Sequence, residues 1–387
     1  MKILITTDWY APVVNGVVVS VLLLQRELEK LGHEVRVVTL APGLRSFRRG
    51  PIYYIGSVSA GKIYPGARLR LGRSEALLEQ LEEWGPDIVH SQCEFSTLRV
   101  AMAIAHRMDV PVVHTYHTVY EDYTHYLPVG RRAGKLVATT LSRRVCRRMA
   151  CVVVPSGKVE RLLRSYGVSR RIEVIPTGID LSAYRQAPDP GEQEALRRRL
   201  GIPKGKLVLL YLGRMAREKG LETLIDHLAQ ADRRDAVLLL VGDGPDREEI
   251  LSHARERRLP VIFAGMVPHS EVPNYYRLGD LFVTASTSET QGLTYFEALA
   301  AGLPVLCRRD PCLEGVIEDG VNGWQYGDGT EFGRRLERFC GDKDLRQRMA
   351  QAAEETAERY SAETFGRAAE ALYRSVLEQE REAVGCR

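Results

Sequence analysis

The sequence predicts an α/β protein made of two doubly wound domains, each built around a parallel sheet. Apolar strand-like runs alternate with helical stretches, which is typical of a parallel sheet covered by helices. The alternation stops in a Pro- and Ala-rich segment near residues 180–192 and then restarts. A chain of 387 residues is also too long for one typical core. We therefore expect domains at 1–185 and 186–360, followed by a C-terminal helical segment, 361–387.

The individual strands are predicted from short runs of Val, Ile and Leu. In the first domain, a helix over 17–31 follows the first strand and ends at Gly32, and the strands are expected at 2–6, 34–39, 87–90, 110–114 and 151–155. In the second domain they are expected at 206–212, 236–241, 260–264, 281–284 and 304–306. Residues 334–384 read as a long, charged helical tail.

Composition is typical of a globular protein, with 44% hydrophobic and 27% charged residues. An acidic residue, Asp8, follows the first strand closely, and no apolar run approaches the ~18 residues of a membrane span. We therefore expect neither a signal peptide nor a transmembrane helix. The seven cysteines form no C-x-x-C pair, which favours free thiols in a reducing compartment and a cytoplasmic location.

The net charge of +4 conceals an asymmetry between the two halves. Residues 1–185 contain 26 basic and 16 acidic side chains, whereas the remainder contains 28 and 34. A basic first half indicates that only this half faces an anionic partner. Nucleic acid, an anionic membrane, or no particular partner would each fit this observation.

Two glutamates eight positions apart, Glu289 and Glu297, flank the start of a predicted helix. The apolar run 281–286 precedes them, and the helix ends at Gly302 and Pro304. Free N–H groups near Gly292 and Leu293 would form a phosphate site at the helix N-terminus. Glu289 could accept hydrogen bonds from sugar hydroxyls and Glu297 from a ribose diol, so the segment could hold a nucleotide-sugar. Alternatively, both are ordinary surface carboxylates, because such pairs are common.

This E-x7-E segment, followed by Ala-Ala-Gly-Leu-Pro-Val, resembles the retaining glycosyltransferases of family 4 (glycosyl transferases group 1), which have the GT-B fold. The resemblance implies two Rossmann-like domains facing across a cleft, with the last helix, 361–387, returning to the first domain. It implies hexosyl transfer from a nucleotide-sugar held by the second domain to an acceptor held by the first. It also implies that neither a metal nor another cofactor takes part.

Arg214 and Lys219 lie on the loop after the first strand of the second domain. Two fixed cations can stabilise the diphosphate that leaves when a sugar–phosphate bond breaks. The string G-R-x4-K-G matches the arginine–lysine pair of the family, although a solvated basic turn is the alternative. The D-x-D string 342–344 lies in the helical tail rather than after a buried strand, so it does not predict a metal site.

Two glycine-containing loops also follow predicted strands. Asn15 and Gly16 stand where the family has two adjacent glycines, and they are expected to approach the donor; Asn also tolerates a left-handed backbone, and an ordinary tight turn is the alternative. The loop 241–245 matches a family loop near the donor, but a structural turn is the better interpretation.

His117 follows a strand that is predicted to end at the cleft, where the family places a histidine beside the donor sugar and the acceptor hydroxyl. The loop after His117 contains Tyr120, Glu121, Asp122 and Tyr123, and it resembles the acceptor-side loop of bacterial diacylglycerol glucosyltransferases. This similarity favours UDP-glucose as donor and diacylglycerol or a related membrane lipid as acceptor. The alternative enzyme is a mannosyl- or glucosyltransferase that acts on phosphatidylinositol or a soluble sugar. The alternative of another class is a non-catalytic nucleotide-sugar sensor or membrane scaffold.

The segment 131–148 is a basic helix without an acidic residue. Its seven cations are Arg131, Arg132, Lys135, Arg143, Arg144, Arg147 and Arg148. The apolar residues Leu136, Val137, Leu141 and Val145 recur at helical spacing, so the helix either lies on anionic lipid or packs this stripe into the core. Arg45, Arg48 and Arg49 favour lipid, which would place the protein at the inner face of the cell membrane. Nucleic acid is disfavoured because no aromatic stacking platform accompanies the cations, and the sequence does not indicate an oligomeric state.

Overall fold

The chain folds into two compact units in a computed structural model. One unit comprises Met1–Gly178 together with Ala362–Arg387, and the other comprises Ile179–Ser361. The boundaries expected from the sequence fall after residues 185 and 360. The structure describes residues 1–13, 15–61, 67–71, 74–119, 131–186 and 189–385.

The first unit contains an eight-stranded sheet with the order β10-β9-β8-β7-β1-β2-β4-β3. All neighbouring strands are parallel except the edge pair β3 and β4, and the short strands β5 and β6 form a separate antiparallel pair. The strands are β1 (Lys2–Thr6), β2 (Glu34–Leu40), β3 (Phe47–Arg49), β4 (Ile52–Ile55), β5 (Ser57–Ser59), β6 (Arg68–Arg70), β7 (Ile88–Ser91), β8 (Val112–Thr115), β9 (Cys151–Val154) and β10 (Ile172–Val174). The strand order reverses between β1 and β7, and ligands of such sheets bind beyond the carboxyl ends of the strands at this kind of point.

The helices of the first unit form where apolar residues recur every three or four positions. In the first helix, Val18, Val21, Leu24 and Leu28 are buried against the sheet. The helices are α1 (Gly16–Lys30), α2 (Glu75–Trp84), α3 (Ser96–Met108), α4 (Arg131–Cys146) and α5 (Gly157–Ser165).

The second unit contains a six-stranded parallel sheet with the order β13-β12-β11-β14-β15-β16. Its strands are β11 (Leu207–Leu212), β12 (Ala236–Val241), β13 (Val261–Gly265), β14 (Leu281–Thr284), β15 (Val305–Arg308) and β16 (Gly323–Tyr326). Its helices are α6 (Ser182–Arg185), α7 (Pro190–Arg199), α8 (Leu221–Ala231), α9 (Arg247–Glu256), α10 (Val272–Tyr276), α11 (Leu293–Ala300), α12 (Gly329–Gly341) and α13 (Lys343–Glu358). The order reverses between β11 and β14, so the loops after these two strands lie side by side.

The predicted helical tail, residues 334–384, is helical and comprises most of α12, all of α13 and most of the last helix. The first break comes at Asp342, whose Oδ1 accepts a hydrogen bond from the Leu345 N–H at 2.8 Å and thereby caps α13. The first carboxylate of the D-x-D string therefore begins a helix.

The last helix, α14 (Ala362–Gly385), belongs to the first unit. Its buried face, which includes Phe365, Leu372 and Tyr373, packs in one cluster with residues of α1 and β1. The Tyr373 hydroxyl and His90 Nδ1 are hydrogen-bonded at 2.6 Å, which ties the helix to β7. The core of this unit is therefore built from both ends of the described chain.

Candidate active site

The loop that carries Arg214 and Lys219 is held by a neighbouring glycine loop. The Gly213 N–H donates to the Val241 carbonyl at 3.0 Å, and the Met215 N–H donates to the Asp243 carbonyl at 2.9 Å. A Cβ atom on Gly242 would lie 2.0 Å from the Gly213 carbonyl oxygen, so only glycine allows this approach. The loop 241–245 is thus a structural turn that supports the G-R-x4-K-G loop.

Lys219 and Glu289 form an ion pair. Lys219 Nζ donates to Glu289 Oε1 at 2.6 Å, and the Ser286 hydroxyl donates to the same oxygen at 2.8 Å. Both charged side chains are partly buried. The two motifs predicted to bind opposite parts of a donor therefore meet directly in this structure.

Gly292 is the N-cap of α11 and has a left-handed backbone, with φ of 77°. A Cβ atom here would lie 2.4 Å from the Tyr295 ring and 3.3 Å from Glu289 Cγ. The backbone thus turns tightly beside the Glu289 side chain before the helix begins at Leu293. The N–H groups of the first turn of α11 follow directly, and the N-terminus of a helix suits a phosphate.

Glu297 lies in the second turn of α11 and is partly buried. The Tyr276 hydroxyl donates to its Oε2 at 2.8 Å. Burial raises the pKa of the Glu297 carboxyl to about 7, and the hydrogen bond from Tyr276 opposes this rise. The carboxyl group therefore titrates near neutral pH.

In the first unit, His117 follows β8, and its Nε2 lies 2.7 Å from Gln92 Oε1. Because the amide oxygen can only accept, Nε2 carries the proton and Nδ1 keeps a lone pair. Burial lowers the pKa of His117 to about 4, an effect that nearby Glu94 opposes. The imidazole is therefore neutral at physiological pH.

Sequence reasoning did not identify the polar residues around His117. Gln92 and Glu94 follow β7, and buried His114 Nε2 lies 3.5 Å from Glu94 Oε1. Their place after a parallel strand at the reversal of the sheet was the signal that could have found them. No comparable signal exists for Tyr276, which reaches Glu297 from α10.

The predicted glycine turn of the first unit is formed differently. Asn15 has an extended backbone, with φ of −160°, rather than a left-handed one, and its Oδ1 accepts from the Val18 N–H at 2.9 Å. Asn15 is thus the N-cap of α1, and Gly16 is the first residue of that helix. Of the predicted acceptor-side loop, Tyr120, Glu121, Asp122 and Tyr123 lie outside the described residues.

Helix α4 divides the predicted apolar stripe between two environments. Val145 is buried and Leu141 packs against the core, whereas Leu136 and Val137 are 67% and 57% exposed. All the cations whose side chains are described are exposed: Lys135, Arg143 and Arg144 lie in α4, and Arg147 and Arg148 lie in the turn directly after it. The side chains of Arg131 and Arg132 are not among the described ones. The helix packs in the core and also presents a basic face that contains two aliphatic side chains.

Two observations on the described part of the chain bear on membrane and metal chemistry. No helix there combines the length and apolar character needed to cross a membrane. No group of three or more His, Cys, Asp or Glu side chains there could hold a metal ion. Metal independence stays a prediction.

The two Rossmann-like units define a protein of the GT-B fold class. Among solved structures, HepE from Anabaena in complex with UDP matches with a TM-score of 0.75 and 21% identity, over 97% of this chain and 100% of that one. The protein-family model described as "Glycosyltransferase Family 4" matches residues 14–183, and the one described as "Glycosyl transferases group 1" matches residues 192–356. The chain belongs to this glycosyltransferase family and is a hexosyltransferase.

Two curated relatives match this chain over nearly its whole length. The α-monoglucosyldiacylglycerol synthase of Streptococcus pneumoniae is 36% identical, over 96% of this chain and 85% of that protein. The α-monoglucosyldiacylglycerol synthase of Acholeplasma laidlawii is 31% identical, over 98% of each chain.

Proposed function

We propose that this chain is a retaining glucosyltransferase that moves glucose from UDP-glucose to 1,2-diacylglycerol or a related membrane lipid, forming an α-glycolipid. The observation that carries the proposal is the similarity to two α-monoglucosyldiacylglycerol synthases over at least 96% of this chain. The second unit also supplies cations for a diphosphate, Arg214 and Lys219, and carboxylates for sugar hydroxyls, Glu289 and Glu297.

The donor is held by the second unit. Arg214 and Lys219 bind the diphosphate, together with the N–H groups of Gly292 and Leu293. Glu297 accepts hydrogen bonds from the ribose diol, and Glu289 accepts them from the hexose. The last role requires Glu289 to exchange its bond with Lys219 for bonds to sugar hydroxyls, while Lys219 turns to the phosphate.

The chemical step joins the acceptor hydroxyl oxygen to C1 of glucose while the bond from C1 to the phosphate oxygen breaks. The bonding electrons leave with UDP, and the departing phosphate takes the acceptor proton on the same face of the sugar. Arg214 and Lys219 stabilise the charge that develops on the diphosphate. Neutral His117 orients the acceptor hydroxyl through Nδ1, and neither a metal nor another cofactor supplies a step.

The acceptor is reached from a membrane surface. The exposed face of α4 carries cations beside Leu136 and Val137, a pattern suited to anionic headgroups and the acyl boundary. Each cation near an anionic surface contributes about 1 kcal/mol of binding. The protein would therefore work as a peripheral enzyme on the inner face of the cell membrane.

The full chain should be incubated with UDP-[14C]glucose and liposomes containing diacylglycerol, with and without anionic lipid. We expect a labelled glycolipid whose glucose is released by an α-glucosidase, more product with anionic liposomes, and none from Lys219→Ala. Absence of a product from diacylglycerol, together with a labelled product from phosphatidylinositol or a soluble sugar, would contradict the proposed acceptor. No transfer to any acceptor would instead support a sensor or scaffold.

The membrane contact is tested separately by sedimentation with liposomes. The double variant Arg144→Glu and Arg148→Glu should lose binding to anionic vesicles but still bind UDP. Arg234→Glu, at an exposed position of the second unit, is the matched control and should sediment normally. Equal sedimentation of both variants would show that α4 does not contact lipid.

A further inference from the structure

Glu218 lies on the loop between the two cations expected to bind the diphosphate. Its side chain is 12% exposed, whereas that of Arg214 is 42% exposed, and Glu218 Oε1 lies 4.0 Å from Arg214 Nη2. The carboxylate is therefore the buried member of this pair, and the guanidinium is the member that faces solvent.

The second oxygen of this carboxylate, Oε2, is buried and has no hydrogen-bond partner among the described residues. A buried charged acceptor without a donor is unfavourable, because its hydration has been lost and not replaced. A guanidinium presents parallel N–H groups that match both oxygens of a carboxylate. Arg214 already lies beside Oε1, so a small movement of its side chain would satisfy Oε2 as well.

The backbone at both residues is held in place. The Tyr211 hydroxyl donates to the Arg214 carbonyl at 3.0 Å, and the Ser288 hydroxyl donates to the Glu218 carbonyl at 3.0 Å. Ser288 precedes Glu289, so the second bond joins the two donor-binding loops. Movement of Arg214 relative to Glu218 is thus mainly movement of the side chain.

We propose that Glu218 is a positioning residue that holds one edge of the Arg214 guanidinium, so that the other edge contacts the diphosphate. This role rests on the proposed function, since it presupposes that Arg214 binds a nucleoside diphosphate. A long side chain that is held before the ligand arrives loses less conformational entropy on binding. If Glu218 were only a negative charge near the diphosphate, its removal would instead strengthen binding.

The two roles of Glu218 predict opposite changes in UDP affinity, so the variant Glu218→Gln in the full chain distinguishes between them. We expect its affinity for UDP, measured by calorimetry, to fall about 3- to 10-fold, the effect of one unrestrained side chain. Its affinity for uridine, measured by ligand-observed NMR, should not change, because uridine lacks the diphosphate. Glu222→Gln, which neutralises an exposed carboxylate on the first turn of α8, is the matched control.

A double-mutant cycle tests whether the effect passes through Arg214. In an Arg214→Ala background, Glu218→Gln should no longer weaken the binding of UDP. Unchanged or tighter UDP binding by the single variant, or equal weakening of UDP and uridine, would overturn the role of Glu218. Glu218→Ala repeats the measurement if the glutamine variant unfolds at a lower temperature than wild type.

Failure of the proposed function gives a different result. A wild-type chain that binds none of UDP, GDP and ADP would overturn the nucleotide-sugar proposal and, with it, this role of Glu218. If wild type binds GDP or ADP best, that nucleotide and its nucleoside replace UDP and uridine in the same cycle. Wild-type binding that Glu218→Gln leaves intact would overturn the positioning role alone.

Discussion

Replacing Glu289 with Gln should strengthen the binding of UDP while weakening the selection of UDP-glucose. Lys219 Nζ and Glu289 Oε1 are 2.6 Å apart, and both side chains are partly buried. In the proposed role of Lys219, the diphosphate competes with this carboxylate for the ammonium group. The resting pair therefore lowers the affinity for any ligand that uses only Lys219.

The size of the effect follows from this geometry. A hydrogen bond to a charged group contributes about 1.5–3 kcal/mol. A glutamine oxygen would still accept from Lys219, so about 1 kcal/mol should be recovered, which is about fivefold tighter UDP binding. In UDP-glucose the sugar hydroxyl likewise exchanges its bond to a carboxylate for a weaker bond to an amide oxygen, which costs about 1 kcal/mol, so the affinity for UDP-glucose relative to UDP should fall about fivefold.

Calorimetric titration of both ligands into Glu289→Gln and wild type measures the two effects. Glu222→Gln serves as a surface control, and in a Lys219→Met background the gain for UDP should vanish. Equal weakening of UDP and UDP-glucose would refute the competition between Lys219 and the diphosphate. An unchanged ratio of the two affinities would refute the contact between Glu289 and the hexose.

Three further predictions concern other parts of the molecule. The pKa of Glu297 is raised to about 7, and in the proposed contact the ribose diol donates to the ionised carboxylate, so UDP affinity should fall about tenfold per pH unit below 7. Calorimetry at several pH values should show this dependence, and Glu297→Gln should abolish it. That variant should also melt at a higher temperature than wild type at pH 8, because a pKa raised by folding makes the ionised carboxyl destabilising. Tyr373→Phe leaves buried His90 Nδ1 without its partner and should lower the free energy of unfolding in urea by about 1–3 kcal/mol; an unchanged midpoint would contradict this hydrogen bond. Gly242→Ala should destabilise by at least about 2 kcal/mol and abolish UDP binding by displacing the supported loop, whereas Gly341→Ala, where a Cβ meets nothing within 4 Å, should have little effect in both measurements.

The central strands were predictable because strands covered on both faces are continuous apolar runs. The sequence reasoning missed β3, β4, β10 and β16, which lie at or near the edges of the two large sheets, and also β5 and β6, which form a separate pair. The residues of β10, Ile-Glu-Val, are too few to establish a period, and β16 begins with Gly323. Such strands form because a neighbouring strand offers hydrogen-bonding groups, which a local pattern does not reveal.

The candidate site was predictable as motifs but not as contacts. The spacing of Lys219 and Glu289 within their own motifs does not indicate that the two side chains pair across 70 residues. The partner of Glu297 comes from another helix and that of His117 from the loop after another strand, and neither has a spacing rule. In α4 the helical period grouped Leu136 with Val145, but only tertiary packing decides which part of the stripe is covered.

The return of α14 to the first unit has a consequence for the order in which the two units can fold during synthesis. Ribosomes release the N-terminal residues first, yet Phe365, Leu372 and Tyr373 cover α1 and β1. Until those late residues emerge, the early segment exposes apolar surface, and such surface promotes aggregation of nascent chains. The second unit, Ile179–Ser361, is continuous in the chain and can close its own core sooner. The first unit can therefore complete its core only after the last helix has been translated.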